Sequence, residues 1–307
     1  MRVLFLFLDG IGLGANDPDT NPFARVEMPF LQRLLDGHRL LRESTPWHGK
    51  RASLLAVDAN LGVKGLPQSA TGQAVLLTGR NIPEELGYHY GPKPNPDVAA
   101  RLRDGGIFGR LRKAGRSCAL LNAYPPRYFD GIDSGKRLYS SIPLAVTSAG
   151  LPLFNHEDFA AGRGLSADFT GEGWRDFLGF PETIVLEPRQ AGQRLGEQAR
   201  RYDFAFFEYW STDYAGHKQD MAWAVRQLET FDAVLAGLVQ NWDTAEGLIL
   251  LTSDHGNMED LAVRRHTANP VPLLLIGEEK ARRRFAESVK DLAGIAPVIE
   301  NLINKME

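Results

Sequence analysis

A single cysteine, Cys118, occurs among the 307 residues, so no internal disulfide can form. It lies in the apolar run CALLNAY, which suits a small core side chain. Long hydrophobic runs are missing too, since none approaches the roughly 20 residues that cross a bilayer. The first run, in MRVLFLFLDG, ends at Asp9 and no small-residue cleavage site follows it. A signal peptide is therefore not expected, and a cytoplasmic location is. Charge excess is also absent. Lys plus Arg number 35 and Asp plus Glu 38, for a formal net charge of -3. That argues against the broad basic field of a nucleic-acid binder and for a small-molecule partner away from membranes. There is no internal repeat or low-complexity tract. What the chain does have is 43% hydrophobic residues, enough for a large core near the upper size of a single one.

The order of patterns predicts an α/β fold. Residues 2–8 (RVLFLFL) form an apolar run that stops at Asp9-Gly10, as a buried parallel strand does before its loop. Helices are expected over 29–35, from Ser69 through SATGQAVLLT, and over IFGRLRKAG, which Gly115 closes. SCALLNA reads as a strand, and the Pro- and Gly-rich NIPEELGYHYGPKPNPD as irregular. From 124 to 188 the rhythm fades, so this stretch is expected to be an inserted cap or long loops, with 1–123 and 189–307 forming the core. The rhythm returns with a helix at RQAGQRLGEQARR, a strand at DFAFFEYW and a helix over 221–239. Strands at GLILLTSD and PVPLLLIG and helices over 280–289 and 295–303 finish the chain. Alternating strands and helices predict a mostly parallel central sheet with helices on both faces.

Metal-ligating residue types stand where the apolar strands stop. Asp9 ends the first strand, Asp213 and His217 follow DFAFFEYW, Asp254-His255 ends LILLTS, and His266 precedes PVPLLLIG. In open parallel sheets, chemistry gathers at the carboxyl ends of strands, so four segments could converge on one edge. Singly, each signal is weak. An Asp after a strand is usually a turn or cap. Asp-x-x-x-His puts two side chains on one helical face, often as a solvated pair. Asp-His-Gly is stronger, because acid and imidazole at the end of a buried strand call for a partner charge. His38, His48, His89 and His156 fall outside these places and read as surface or structural.

Five segments, LFLDGIG, QSATGQAVLLTGR, STDYAGHKQD, LTSDHGNMED and RRHTANPVPLLLIG, span almost the whole chain. Together they resemble the alkaline-phosphatase superfamily, and within it the metalloenzyme domain of cofactor-independent phosphoglycerate mutase and phosphopentomutase. The resemblance implies two divalent metal ions, one held by Asp213, His217 and His266 and the other by Asp9, Ser69, Asp254 and His255. Such a donor set suits Zn²⁺ or Mn²⁺. It also implies a nucleophile ten residues before Gly79, which is Ser69. Thr71 is the alternative. A serine at a helix N-terminus is well placed to become an oxyanion and to meet phosphate.

The sequence departs from the mutase pattern at Gln73, where that pattern has His, and by its short insertions. It lacks the Pro and Arg of a sulfatase signature. Arg80, Lys93, Arg127 and Lys136 are candidates for contacting a small phosphorylated substrate, and Tyr88, His89 and Tyr90 for lining an entrance. The expectation is a phosphate mono- or diester hydrolase working through phosphoserine. A small phosphomutase is the alternative, and a metal-binding protein without turnover is the alternative of another class.

Overall fold

The computed structural model describes residues 1–304. Its strands are β1 (Arg2–Leu8), β2 (Trp47–His48), β3 (Ala52–Val57), β4 (Cys118–Leu120), β5 (Phe204–Tyr209), β6 (Gly247–Thr252) and β7 (Val271–Ile276). They form one sheet in the order β2–β3–β7–β6–β1–β5–β4. β1, an interior strand, is the longest of the seven and is paired on both sides in parallel, with β5 and β6.

Period-two alternation divides the side chains between two cores. Val3, Phe5 and Phe7 of β1 join Phe204, Phe206, Leu248 and Leu250 on one face, under helices Ser69–Thr78, Gly106–Lys113 and Ile295–Asn304. Leu4, Leu6 and Leu8 join Phe207, Tyr209, Ile249 and Leu251 on the other, under helices Pro188–Ala199 and Met221–Gln240. Both faces are covered, which is why these strands read as unbroken apolar runs. Among the described residues, no helix is long and apolar enough to cross a membrane.

The sheet is mixed, so the expectation of a mostly parallel one is met in part. β4, β5, β1 and β6 are parallel, but β7 runs antiparallel to β6, β3 to β7 and β2 to β3. A functional clue for this lay in the sequence. Asp9, Asp213 and Asp254 follow their strands, whereas His266 precedes its own. A residue before a strand reaches the carboxyl edge of its neighbours only if that strand is reversed.

Two further segments differ from expectation. The Pro- and Gly-rich stretch after Arg80 contains helices Ile82–Leu86 and Pro96–Arg101, each capped by an Asn side chain with Pro at the first turn, a start signal carried by those two residue types. Within 124–188, helix Ser141–Ser148 inserts Ile142, Ala145 and Val146 into the first core, and Leu165 and Phe169 enter the second. The segment's own cluster is small, built on Ala123, Phe159 and Trp174, and His156 stacks on Trp174 and Phe180.

The antiparallel half of the sheet is pinned by Arg282, which is 1% exposed. Its guanidinium donates to the carbonyls of Lys50, Ala52 and Gly277 and to Ser53 Oγ, at 2.7–3.0 Å. Those acceptors lie on the β2–β3 hairpin and at the end of β7. Losing a buried donor that serves this many acceptors costs several kcal/mol. We predict that Arg282→Ala lowers stability by about 2–5 kcal/mol without changing metal content. Denaturant unfolding beside elemental analysis measures both. An unchanged midpoint would remove Arg282 from this role.

Candidate metal centre

The carboxyl ends of β1, β5 and β6 bring four acids and a serine to one place. On the face that carries Phe5 and Phe7, the next residue of β1 to point the same way is Asp9. The same alternation points Glu208 of β5, and Thr252 and Asp254 of β6, toward that face, with Phe7 in register with both Glu208 and Thr252. Ser69 opens helix Ser69–Thr78 above them. The backbones approach closely. A Cβ at Gly10, whose φ is +67°, would lie 2.5 Å from Asp213 Oδ1, and one at Gly72 would lie 2.8 Å from Asp254 Cβ. Glycine at both positions lets loop and helix close on the acids.

The seven residues expected as ligands converge here. Ser69 Oγ is 3.1 Å from His255 Nε2. The same nitrogen is 3.4 Å from Asp9 Oδ1 and 3.6 Å from Asp254 Oδ2. His217 Nε2 is 3.4 Å from Asp213 Oδ2, and His266 Nε2 is 3.7 Å from Asp213 Oδ1. Ligand atoms of Asp213, His217 and His266 lie within 4.8 Å of one another, and so do those of Asp9, Asp213 and His255. Asp213 therefore stands between the two sets, a shared position the sequence pattern did not show. The rings of His255 and His266 stack at 3.7 Å.

Each histidine is oriented by its other nitrogen. Nδ1 of His217 faces the carbonyl of Arg264 at 3.0 Å, that of His266 the carbonyl of Pro67 at 2.9 Å, and that of His255 the carbonyl of Gly256 at 3.3 Å. A carbonyl can only accept, so Nδ1 carries the proton and donates. Each Nε2 is then the nitrogen turned toward the acids and the one left to ligate a metal, the arrangement that metal-ligating histidines use.

The electrostatics call for a cation. Burial, then Asp254 and Asp213, pushes the Asp9 carboxyl well above its usual range. Burial, with Asp213 next, pushes Asp254 up to about 7. Glu208, which the sequence reasoning missed, is raised to about 7 by burial and by Asp254. Burial would also raise Asp213, but hydrogen bonds from His217 and Asn257 with the charge of His255 outweigh it and hold the carboxyl at about 2. Burial lowers His255 and His266, whereas His217, bonded to Asp213, is raised. Asp9 Oδ1 and Asp254 Oδ2 are buried without a hydrogen-bond partner among the described residues. The basic groups nearest them are the imidazoles of His255 and His266, whose charged form burial disfavours. Buried carboxylates on such terms need a positive partner. Three imidazole nitrogens and several carboxylate oxygens form a donor set that fits divalent cations.

A further acid, Glu259, lies outside the ligand sets and joins their loops. Its Oε2 accepts from the N–H groups of Gly12 and Asn257, both at 2.8 Å. Its Oε1 accepts from Asn269 Nδ2 at 3.0 Å and from the Thr267 hydroxyl. One buried carboxylate thus ties the loop after Asp9, the loop after His255 and the segment carrying His266. Asn257 in turn donates to Asp213 Oδ1 at 2.6 Å. Glu259 and Asn257 fall within LTSDHGNMED, but no spacing rule marks them as supports.

The alternative nucleophile and the expected substrate contacts fare differently. Thr71 is buried, with its hydroxyl engaged by the carbonyls of Gln68 and Tyr90 and by the N–H of Tyr90, so it faces the 88–91 loop. Arg80 lies at the far end of the helix that Ser69 opens and makes a two-pronged pair with Glu85 at 2.8 Å. About 16 Å of helix separates the two, so Arg80 is corrected from substrate contact to surface ion pair. Lys93 is exposed two residues after Gly91, which abuts Ser69 N. Arg127 and Lys136 are exposed on and after helix Pro126–Asp133. His89 is drawn inward toward the carbonyls of Asn60 and Val63, while Tyr88 and Tyr90 stay exposed.

Comparison with known proteins agrees with this geometry. The model of the Metalloenzyme superfamily matches residues 181–306. The 2,3-bisphosphoglycerate-independent phosphoglycerate mutase of Desulforudis audaxviator is 35% identical over 131 residues, 39% of this chain and 25% of that protein. The chain spans 25% to 37% of the length of the curated mutases it matches. Among solved structures, a protein from Pyrococcus horikoshii superposes with a TM-score of 0.59 at 14% identity, covering 100% of this chain and 97% of that one. The alkaline phosphatase of the Antarctic bacterium TAB5 does so with a TM-score of 0.52 at 14% identity, covering 100% and 98%. Those structural likenesses are likenesses of fold. Over residues 181–306 the chain is similar to the Metalloenzyme superfamily, its fold is similar to that of these two structures, and the donor set described above fits the divalent metal ions that such a superfamily implies.

Two outcomes follow from the site. Glu259→Ala should weaken metal affinity about 10–100-fold although Glu259 belongs to neither ligand set, and Glu259→Gln, which keeps one acceptor oxygen, should lie between. Calorimetric metal titration of the three proteins measures this, and equal affinities would count against the tie. The second outcome concerns pH. A carboxyl raised in the folded state contributes stability below its unfolded value, lost as pH rises through the folded one. With Asp254 and Glu208 both at about 7, the metal-free protein should gain stability as pH falls from 8 to 7, where uptake by these two carboxyls outweighs the opposing uptake by His255 and His266 in the unfolded chain. The metal-loaded protein should lose stability over that interval, because protons compete with the metal. Thermal melts with and without chelator test this, and parallel trends would contradict it.

Proposed function

We propose that this metalloenzyme transfers phosphoryl groups to water, hydrolysing a small phosphate ester through a phosphoserine at Ser69. The observation that carries the reading is the place of Ser69. Its hydroxyl is buried at a helix N-terminus, 3.1 Å from His255 Nε2, amid the carboxylates of Asp9 and Asp254. A serine in an ordinary cap would face its own helix backbone and not two orphaned acids.

Asp213, His217 and His266 would hold one divalent ion, and Asp9, Asp254, His255 and Ser69 a second, with Asp213 near both. Zn²⁺ or Mn²⁺ suits that set. When bound, such ions lower the serine hydroxyl's pKa and neutralise charge on the phosphoryl oxygens and the leaving oxygen. The protein supplies the rest. The helix N-terminus favours the negative charge of Ser69 Oγ and of the phosphoryl group. The loop of Tyr88–Gly91, bonded through Thr71, fixes the start of that helix. Ser69 Oγ gives up its proton to solvent and forms a bond to phosphorus as the bond to the leaving oxygen breaks, and that oxygen takes a proton from water. Water then attacks the phosphoserine and frees phosphate.

Solvent access favours hydrolysis over mutase action. The side chain of His217 is 40% exposed while His255 is fully buried, so the centre opens to water over His217. The segment 124–188 sends helix Ser141–Ser148, Leu165 and Phe169 into the main cores and has only a small cluster of its own, a slight frame for a cover that must hold a dephosphorylated intermediate away from water. The mutase reading rests on the curated relatives, which are named as mutases.

Ser69→Ala should abolish turnover, whereas Thr71→Ala should keep it within about tenfold, the cost of a loosened loop hydrogen bond. Peptide mass mapping should find trapped phosphate on Ser69, and a label on Thr71 would reverse the assignment. Elemental analysis should approach two metal equivalents per chain. Incubation with phosphoglycerates, pentose phosphates and other phosphate esters should accumulate free phosphate with little isomer. Rapid isomerisation without phosphate release would establish the mutase instead.

A further inference from the structure

Four of the eight large apolar side chains left exposed among the described residues stand on the two segments that adjoin Ser69 and Asp213. Trp210 is 49% exposed, Tyr214 48%, Tyr88 40% and Tyr90 36%. Two of them belong to the metal-bearing helix Ser211–Lys218 and its cap. Trp210 lies three residues before Asp213 and Tyr214 three before His217, so each flanks a site residue on the helix's outer side. Trp210 and Tyr214 meet edge to face at 6.5 Å, and Tyr214 in turn meets Trp223 edge to face at 5.3 Å, so the outermost ring of the group is that of Trp210, the more exposed of the pair. Tyr88 and Tyr90 form a second edge-to-face pair at 6.2 Å. Their loop is tied to Thr71, and Gly91 abuts Ser69 N, which places that pair on the nucleophile's side of the opening.

Exposed aromatics at a protein surface mark places that something covers, and continuity with the site identifies the covering group as the substrate's own. Cations stand among them. Lys218 Nζ lies 5.3 Å from the Tyr214 ring centroid. Arg264 and Arg265 are exposed next to His266, and the carbonyl of Arg264 orients His217. Planar rings with flanking positive charge bind a planar, electron-rich ring on an anionic ester. A short sugar acid offers no face to stack.

We infer that the leaving-group subsite over Trp210 and Tyr214 takes an aromatic heterocycle, making the substrate a mononucleotide-type ester. The inference rests on the phosphoester reading above and names its substrate class. Stacking on an aromatic side chain contributes roughly as much as one to two decades of affinity, most of it expressed in KM if the ring is held equally in ground and transition states.

The test compares adenosine 5′-monophosphate with glycerol 2-phosphate on the metal-loaded protein, following phosphate release. Wild type should favour the nucleotide at least tenfold in kcat/KM. Trp210→Ala should reduce that selectivity about 5- to 150-fold, chiefly through KM for the nucleotide, and Trp210→Phe should restore most of it. A preference for glycerol 2-phosphate, or a selectivity that Trp210→Ala leaves unaltered, overturns the inference. If neither ester is hydrolysed, the hydrolase reading fails separately, and calorimetry of adenosine 5′-monophosphate against metal-loaded Ser69→Ala decides the subsite alone. Binding that weakens when Trp210→Ala is added supports it. No binding, or binding indifferent to Trp210, overturns it.

Discussion

Buried negative charge is the constraint around which this molecule is arranged. Asp9, Asp254 and Glu208 meet on one face of the sheet with Asp213 beside them, and burial, reinforced by their mutual repulsion, pushes three of these carboxyls upward. Much of the surrounding structure serves to make that tolerable. Three imidazoles turn Nε2 toward the acids because backbone carbonyls hold their other nitrogens. Asn257 donates to Asp213, and a helix begins at Ser69 with its positive end over the group. The remaining imbalance is one that divalent cations remove. The apolar strands below supply rigidity, so the acids cannot relax apart into solvent.

Much of this was legible in the sequence, for physical reasons. Strands buried on both faces must be apolar throughout, so β1, β5, β6 and β7 announced themselves, and the polar residues at their ends stood out against them. Chemistry at strand ends depends on few side chains of restricted types, and these survive as short motifs. β3 was missed because ASLLAV, though as long as β5, β6 and β7, has Ser53 breaking its apolar run and lies among loops, and the direction of β7 was missed because direction depends on pairing, which no local pattern encodes. The position of His266 before its strand carried that information indirectly.

The supports of the site were less visible than its reactive groups. Glu259 binds four donors from separate loops, yet nothing in its spacing distinguishes it from a surface acid. Glu208 sits within an apolar run, where an acid is costly, and that was a usable signal. Arg80 shows the opposite failure. A basic residue at a helix end resembles a phosphate contact until its partner, Glu85, is found five residues away. Cations on the surface are common, so type alone says little about them.

The hydrogen bond from Ile11 N to Ser253 Oγ joins residues 242 positions apart, and it lies between the two loops that bear Asp9 and Asp254. Parallel pairing of β1 with both β5 and β6 likewise requires distant parts of the chain to meet. Contacts of such separation form late, because chain closure must precede any gain from them. The acids are therefore far apart during most of folding and are crowded together only as the central strands align. Early collapse of the amino-terminal half can proceed without that repulsion. The electrostatic burden falls on the last steps of assembly, where it slows completion of the sheet and not its initiation.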